Sequence, residues 1–395
     1  MNLVCDINMN SFRKCPICES NDVKLIIPLN YIQFDDCPIH GNNNLVACVS
    51  CGFLFNDTDS KEEDYERYYA QKEYNFTGNC IGSGSIIPEE LIRYEIITQL
   101  IQSYKPSTSK ILDIGCGKGG LLINLKNQGY TNLYALELLP QFVDYLNHNY
   151  GINTIQGSFQ QISLFSTKFD VIIASNVLEH IFDLNLALQY ISQNLGEEGI
   201  VYLEVPNAKN YPSFNNYPLF DFSHEHINHF DYHHLTNLAK NNGFDLILKG
   251  TTFIKGGFGK GECIYIVIKK GLKQQKIPDF TLSDTVTNVL MSYSANSKDI
   301  QELMQNQLPT YIWGFSSYMG LILGMSELQA CNIIGIIDKD ESKQKHTIMG
   351  KKILPLKIFD KISNYSVIII PTGSYVIEMR KILRDKNIKC PIIQV

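Results

Sequence analysis

The sequence has no excess of positive charge and no unbroken hydrophobic segment, and both absences narrow its possible functions. Its 395 residues include 34 Lys and Arg against 40 Asp and Glu, a formal net charge of −6. A chain without a basic field lacks the electrostatic footprint of a nucleic-acid-binding protein. The uncharged stretch 303–326 is interrupted by Pro309, Gly314 and Gly320, so it predicts a buried strand, turn and helix and not a membrane span. Residues 1–10 lack the basic start and apolar core of a secretory signal, so we expect a soluble, cytoplasmic protein without nucleic-acid or membrane partners.

An apolar strand that carries an acid runs into a glycine-rich loop near residue 110. The segment Lys110-Ile-Leu-Asp-Ile-Gly-Cys-Gly-Lys-Gly119 has the spacing D-x-G-x-G-x-G, and a helix is predicted over 120–128. This spacing differs from the G-x-G-x-x-G fingerprint, in which the helix N-terminus receives a pyrophosphate. It accepts a ligand without phosphate and is similar to the first motif of class I methyltransferases that use S-adenosylmethionine. We expect cofactor contacts from Asp113, Gly115, Cys116, Gly117 and Gly119.

Further strand signals follow in the order of an α/β domain, over 133–137, 153–156, 169–176 and 201–207. Glu137 ends the second strand, where an acid of a doubly wound sheet takes both ribose hydroxyls. Ser158 and Phe159 follow the third strand, where such enzymes surround the adenine, and Asn176 ends the fourth. The alternation predicts a parallel sheet covered on both faces, a Rossmann-like core. An ordinary α/β domain with a glycine turn is the alternative.

The cysteines are concentrated near the N-terminus. Seven of the eleven precede Ile81, and four of them form two C-x-x-C pairs, Cys15 with Cys18 and Cys48 with Cys51. Two intervening residues let a tight turn aim both sulfurs at one metal, and four thiolates make a closed, structural zinc site. We therefore expect a zinc-ribbon-like module, with disulfides and an iron–sulfur cluster as alternatives. Cys37-Pro-Ile-His40 has no second pair to complete a site, and we interpret it as a loop.

The polar segment 221–230, just beyond the fifth strand, carries the most reactive side chains. His224, Glu225 and His226 stand side by side, and the zinc-protease pattern H-E-x-x-H is absent because Asn228 occupies its last position. In an extended loop, the two histidines would lie on one side and the glutamate on the other. A histidine beside a carboxylate can remove a proton from a hydroxyl or from a carbon next to a carbonyl. We expect these three residues to be catalytic, and a merely polar surface loop is the alternative.

Four other parts of the sequence carry weaker signals. Residues 56–95 are an acidic, tyrosine-rich connector with an amphipathic helix, whose phenols either pack on neighbours or face the active site. His180, at the tip of the fourth strand, is expected to shape the cofactor pocket. His233 and His234 open the next helix and are expected to be structural. Residues 253–261, with four glycines, are expected to form a flexible loop.

The C-terminal part reads as a second Rossmann-like unit. A strand, turn and helix are predicted over 310–320, a second strand ends at Asp338, and a third covers 366–371. The turn keeps only Gly314 and Gly320 of a glycine pattern. This unit either holds part of a nucleotide-sugar or is a degenerate packing domain, and residues 278–308 are predicted to form the helix that leads to it.

The order of four-cysteine module, class I core, H-E-H loop and α/β tail resembles the three-domain sugar methyltransferases that act on nucleotide-linked deoxysugars, including C-methyltransferases. The resemblance covers essentially the whole chain and implies a zinc-binding module over 1–75, a methyltransferase domain over 76–272 and a Rossmann-like domain over 273–395. It implies S-adenosylmethionine and structural zinc as cofactors, and a nucleotide-sugar as the small-molecule substrate. It also implies that Glu225 and His226 lie in the active site, with His226 as the base.

This chain departs from the family at two places. It has Ser223 where the family has a tyrosine, and Asp113-Ile-Gly-Cys-Gly-Lys-Gly119 where the first motif commonly reads E-I-G-S-N-D-G. Two other functions therefore stay open. One is O-methylation of a sugar hydroxyl or of another small molecule, and the other is a non-catalytic, zinc-dependent binding protein.

Overall fold

A computed structural model describes residues 8–39, 43–71, 84–211, 221–256, 259–275, 277–292, 298–373 and 375–395, which fold around three β-sheets. The strands β1 to β18 are, in chain order, Asn8–Asn10, Asp22–Pro28, Asn43–Cys48, Leu54–Thr58, Lys110–Ile114, Asn132–Glu137, Asn153–Gln156, Phe169–Ser175, Leu195–Pro206, Asn228–His229, Phe244–Gly256, Gly259–Lys270, Thr310–Trp313, Ile333–Ile337, Thr347–Ile348, Lys351–Leu354, Val367–Ile370 and Ile392–Gln394. The helices α1 to α10 are Glu62–Gln71, Pro88–Tyr104, Gly120–Asn127, Pro140–Tyr150, Leu184–Asn194, Tyr232–Asn241, Thr281–Ser292, Lys298–Asn306, Ser317–Met325 and Val376–Asp385.

The first sheet combines the N-terminal strands with a strand from far along the chain. Its order is β1-β2-β3-β4-β10, and every pair in it is antiparallel. The first cysteine pair lies before β2, and the second runs from Cys48, the last residue of β3, into the turn before β4. Strand β10 follows the H-E-H loop and pairs Asn228 with Phe55 and His229 with Leu54. The cysteine module and the loop expected to be catalytic are therefore joined by backbone hydrogen bonds.

The second sheet has seven strands in the order β7-β6-β5-β8-β9-β12-β11. Counted within this unit, the order is 3-2-1-4-5-7-6, and the seventh strand, β12, is antiparallel to both of its neighbours. The antiparallel β12 distinguishes this order from the all-parallel 3-2-1-4-5-6 order of dinucleotide-binding domains. The order reverses between β5 and β8, so the expected ligand crevice lies at the loop that leaves β5. The predicted α/β, Rossmann-like class is confirmed.

Residues 253–261 do not form the predicted flexible loop. They lie at the closed end of a long hairpin between β11 and β12, in which Gly256 pairs with Gly259. Residues 257–258 lie outside the described part.

The third sheet has the order β15-β16-β14-β13-β17-β18, parallel except for the β15–β16 pair. It is the second Rossmann-like unit, and its strand, turn and helix fall where they were predicted. The single helix predicted over 278–308 is instead α7 and α8, with residues 293–297 outside the described part. Within the described ranges, no helix has both the length and the apolar character needed to cross a membrane.

The N-terminal module packs directly on the C-terminal unit. A Cβ added at Gly320 would lie 2.2 Å from the carbonyl oxygen of Ile32, and one at Gly324 would lie 2.0 Å from that of Asn30. These glycines of α9 therefore let the backbone of the N-terminal module lie against the helix. Apolar side chains of the two parts also share one buried core.

Candidate active site

The glycine loop after β5 is a cradle of bare backbone. Gly115, Gly117 and Gly119 have left-handed φ angles of 67°, 55° and 73°. A Cβ at Gly115 would lie 2.7 Å from a methyl carbon of Val177. The loop is also covered from a segment that sequence analysis did not single out, because Gly120 N–H donates to the Gly84 carbonyl at 2.8 Å. Side chains would fill this space, so the loop fits a ligand that approaches its main chain.

Glu137, at the end of β6, lies against this loop. Its carboxylate accepts hydrogen bonds from Gly117 N–H at 2.8 Å and from Leu139 N–H at 3.0 Å. Burial raises the pKa of Glu137, and the backbone N–H groups oppose that shift. The Gly157 N–H donates to the backbone carbonyl of Glu137 at 3.0 Å, which brings the next two residues to the same edge. Glu137 and the glycine loop, both expected to contact the cofactor, therefore lie next to each other.

The residues expected around the adenine have structural roles that are visible without a ligand. Ser158 caps the short 3-10 helix Phe159–Phe165 in a capping box with Gln161, whose side-chain oxygen accepts from Ser158 N–H at 2.8 Å. Phe159 is buried. Asn176, just after β8, has a left-handed φ of 55°, and its N–H donates to the Glu204 carbonyl at 2.8 Å.

Asp113 is buried at the carboxyl end of β5. Burial raises its pKa to about 8, the positive charge of Arg93 opposes this shift, and the charges of Glu137 and Glu204 reinforce it. An uncompensated carboxylate in this position favours a positively charged partner. The electrostatics suit a cationic group at the loop.

A buried ionic network lies beneath this edge of the sheet, and sequence analysis missed it. Arg93, on α2, donates to the carboxylates of Glu204 and Glu90, each at 2.8 Å, and to the Ser175 hydroxyl at 2.8 Å. Thr252 also donates to Glu204. Glu90 and Arg93 looked like an ordinary surface pair on a helix, and no local signal connects them to Glu204.

The H-E-H loop is held by tyrosines of α1. Tyr68 donates to the carboxylate of Glu225 at 2.8 Å, and its ring centroid lies 5.3 Å from that of His224. Tyr65 donates to the His224 carbonyl at 3.1 Å. The expected alternation of sides is wrong, because one tyrosine contacts both His224 and Glu225 and the loop is not an extended strand. The tyrosines of the connector therefore pack on their neighbours and also contact residues of the H-E-H loop.

His180 and His226 meet in the same region, with ring centroids 4.9 Å apart. The Nδ1 atom of His180 lies 2.9 Å from the Glu225 carbonyl and 3.0 Å from the Tyr69 hydroxyl. A carbonyl only accepts, so this Nδ1 carries the hydrogen, and Nε2 of the neutral ring keeps its lone pair. His180 was expected at the cofactor pocket. It lies between the two regions, three residues after Val177, which packs on the glycine loop.

The N-terminal module also offers space beside these side chains. Tyr31, whose ring centroid lies 5.7 Å from that of His224, lines a cavity of about 160 Å³. Gln33, Phe34 and Cys37 line it too. The cavity is adjacent to the H-E-H loop and has room for part of an acceptor molecule.

The four predicted metal ligands come together. The sulfurs of Cys15 and Cys51 are 3.7 Å apart and those of Cys18 and Cys48 are 3.4 Å apart. A tetrahedral zinc with sulfurs at about 2.3 Å separates them by roughly 3.8 Å, whereas a disulfide needs about 2.05 Å. The four sulfurs therefore lie at separations compatible with one tetrahedral zinc ion.

Two further features of the N-terminal module are the turn after Cys51 and the separate C-x-x-H segment that begins at Cys37. Gly52 has a left-handed φ of 82°, and a Cβ there would meet the Asp279 carbonyl. The Cys37 thiol donates to the Gln33 side chain at 2.8 Å. His40 lies outside the described residues. His234 opens α6 within the hydrogen bonds of its N-cap, Asp231, as a structural residue does.

Comparison with known proteins agrees with the fold. Residues 89–249 match the family described as a methyltransferase domain. The chain is 31% identical over 124 residues to a ubiquinone biosynthesis O-methyltransferase of Rickettsia canadensis, covering 29% of this chain and 51% of that protein. It is 26% identical over 126 residues to a ribosomal protein L11 methyltransferase of Thermosipho africanus, covering 31% of this chain and 47% of that protein. The chain thus spans about half the length of the curated relatives it matches.

Solved structures show the same kind of partial similarity. The PH0226 protein of Pyrococcus horikoshii superposes with a TM-score of 0.38 at 17% identity, over 47% of this chain and 92% of that one. Coclaurine N-methyltransferase gives a TM-score of 0.40 at 12% identity, over 50% of this chain and 78% of that one. The family match, the strand order and the glycine loop together identify residues 89–249 as a class I S-adenosylmethionine-dependent methyltransferase domain.

Proposed function

We propose that this protein transfers a methyl group from S-adenosylmethionine to a sugar, a nucleotide-linked deoxy- or ketosugar, with carbon methylation slightly favoured. The observation that carries the proposal is the position of His226. It contacts His180, three residues after Val177, which packs on the glycine loop, and this supports a site shared by the proposed base and the proposed cofactor loop. The resemblance to three-domain sugar methyltransferases supports the substrate class.

The glycine loop and its neighbours would hold the cofactor. Asp113, Gly115 and Gly117 face its amino-acid part, because buried negative charge and free backbone suit an ammonium and a carboxylate. Glu137 takes the ribose hydroxyls. The other contacts are assigned to Cys116, Gly119, Ser158, Phe159 and Asn176. When bound, S-adenosylmethionine supplies an electrophilic methyl group on a sulfonium.

The H-E-H loop would prepare the acceptor. A hydroxyl is a poor nucleophile until it loses its proton, and a carbon nucleophile exists only as an enolate beside a ketone. His226 removes this proton, and His224 assists. Glu225, which Tyr68 holds by a hydrogen bond, orients His226 or binds the sugar. The cavity beside Tyr31 receives the rest of the acceptor.

The substitution His226→Asn tests this function. General acid–base catalysis contributes about 10²- to 10⁴-fold, so turnover of nucleotide-sugars, followed by mass spectrometry, should fall by that factor. Cofactor affinity should stay unchanged, because the proposed cofactor contacts do not include His226. His148→Asn, an exposed position on α4, is the matched control and should keep full turnover. Normal turnover in the His226→Asn variant would show that His226 is not the base.

Oxygen methylation is the second candidate, and the name of the Rickettsia relative favours it. The two routes differ in whether a carbon–hydrogen bond beside a ketone is broken. With a keto-sugar in deuterated water, carbon methylation predicts deuterium at that carbon even without methyl transfer. Methyl transfer without deuterium uptake would favour oxygen.

We also propose that Cys15, Cys18, Cys48 and Cys51 bind one structural zinc, in a module that extends over residues 1–75. Elemental analysis should find this zinc in the wild type and lose it in Cys48→Ser, because three thiolates leave the tetrahedral site open. Cys37→Ser is the control and should keep the metal. A zinc-free wild type with freely titratable thiols would contradict the assignment.

A further inference from the structure

A second group of side chains in the described ranges has the composition of a metal site. The donor atoms of Glu179, His180 and His226 all lie within 4.8 Å of one another. The Nε2 atom of His180 is 3.8 Å from a carboxylate oxygen of Glu179. Donors around a metal at about 2.1 Å are roughly 3 to 3.5 Å apart, so small side-chain rotations would close the set.

The hydrogen bonds of His180 prepare it as a ligand. Its Nδ1–H points to the Glu225 carbonyl, so Nε2, which lies 3.8 Å from a carboxylate oxygen of Glu179, carries the lone pair of the neutral ring. Metal-binding histidines usually donate their other ring N–H in this way, because the bond fixes the tautomer and the ring. The backbone of the H-E-H loop therefore orients a side chain that follows β8.

Glu179 supplies the second, independent observation. Its side chain is 1% exposed, and Oε2 has no hydrogen-bond partner in the part of the chain that the structure describes. A buried carboxylate oxygen without a partner is costly, and a cation at this point would satisfy it. The network around Arg93 does not reach it by any hydrogen bond among the described residues.

We propose that Glu179, His180 and His226 bind one divalent transition-metal ion, at a site separate from the four cysteines. Two imidazoles and one carboxylate suit Zn²⁺, Co²⁺ or Ni²⁺ better than Mg²⁺ or Ca²⁺, which prefer oxygen ligands. The effect of this ion on activity rests on the proposed function, in which His226 is the base. A His226 nitrogen that binds a metal cannot also accept a proton from the acceptor, so the ion inhibits methyl transfer.

Counting bound metal tests the site without reference to activity. The full-length protein is treated with EDTA, which strips open sites more readily than a closed four-thiolate site, and then equilibrated with Zn²⁺ and analysed for metal. We expect about two zinc ions per chain in the wild type and about one in Glu179→Gln, an isosteric and neutral change. His180→Asn is a second variant with the same expectation. Glu225→Gln, which alters a neighbouring carboxylate outside the set, should keep two.

The retained four-cysteine zinc and the thermal midpoint show whether each variant is folded. One zinc in the wild type would overturn the site, and two in both Glu179→Gln and His180→Asn would overturn the choice of ligands. Added Zn²⁺ should lower wild-type turnover reversibly, with on the order of a hundredfold more ion needed in Glu179→Gln. If the second ion binds and turnover rises, the inhibition is overturned, and so is the role of His226 as base, while the metal site itself stands.

Discussion

The chain contains two Rossmann-like units that begin alike and diverge at the positions where a ligand would bind. In the methyltransferase domain, β5 leads through the glycine loop into α3, and Glu137 ends the next strand. In the C-terminal unit, β13 leads through Gly314 into α9, and Asp338 follows the next strand. Both turns use a left-handed glycine, with φ 67° at Gly115 and 86° at Gly314. The strand, turn and helix that open each unit therefore do not distinguish them.

The acids at the strand ends differ in their partners. Asp338 accepts from Lys343 at 3.0 Å and from Phe315 N–H at 3.1 Å, and Lys343 also donates to the Phe315 carbonyl at 2.7 Å. A cation and a turn of the chain itself thus occupy the place of a ligand. The carboxylate of Glu137 likewise accepts from backbone N–H groups, those of Gly117 and Leu139, so the lysine partner of Asp338 is what differs. The C-terminal unit retains the fold but uses its acid for internal packing.

The helix that follows the turn of the C-terminal unit, α9, also takes part in packing. Gly320 and Gly324 of α9 face the backbone of the N-terminal module, so this helix is a docking surface. Of the two roles open for this unit, packing and nucleotide-sugar binding, these contacts favour packing. The same order of strand, turn and helix thus leads, in the C-terminal unit, to a helix that packs on the N-terminal module.

The largest expected difference between the two units is in the stability that one ion pair of each contributes. Arg93→Met removes the partner of a fully buried Glu204 and should lower the free energy of unfolding by about 3–5 kcal/mol. Lys343→Met breaks the partly exposed pair with Asp338 and should cost about 1 kcal/mol or less. Urea unfolding of both variants measures the difference. Equal losses of unfolding free energy would mean that the two ion pairs contribute the same stability and that burial makes no difference.

The next effect concerns cofactor affinity. Glu137→Ala removes a carboxylate from the proposed ribose site and should weaken S-adenosylmethionine binding by about 2 kcal/mol, roughly thirtyfold. Asp338→Ala, the equivalent change in the second unit, should leave the affinity unchanged. Titration calorimetry on the two variants gives both values. An unchanged affinity in the Glu137 variant would sink the assignment.

The smallest effect is a pH dependence. Asp113, with its pKa raised to about 8 by burial, is mostly protonated at pH 7 in the free protein. A bound ammonium favours the ionised carboxylate, so binding should release close to one proton, and affinity should rise with pH up to about 8 and level off above it. The rise is at most about tenfold per pH unit. Calorimetry in buffers of different ionisation enthalpy measures the proton, and Asp113→Asn should show neither effect.

The features that could be recognised from the sequence are those whose residues lie close together in the chain. The glycine loop, Glu137 and the two cysteine pairs are recognisable because their geometry is set within a few residues of chain. Arg93 and Glu204 could not be paired in this way, since 111 positions separate them and only the folded sheet brings them together. The same holds for Tyr68, whose helical periodicity fits packing and catalysis equally well. The prediction for residues 253–261 was wrong because glycines mark both flexible loops and tight hairpin ends.

The strand β10 joins the cysteine module to the H-E-H loop, and this has a consequence for how the sequence can change over time. Asn228 and His229 pair with Phe55 and Leu54, so only Ile227 lies between His226 and a sheet built mainly from the N-terminus. The module cannot be exchanged for an unrelated one without moving the candidate base. Substitutions in β4 and β10 should therefore covary among related sequences. The module and the loop are expected to evolve as one unit, although about 170 residues of chain separate them.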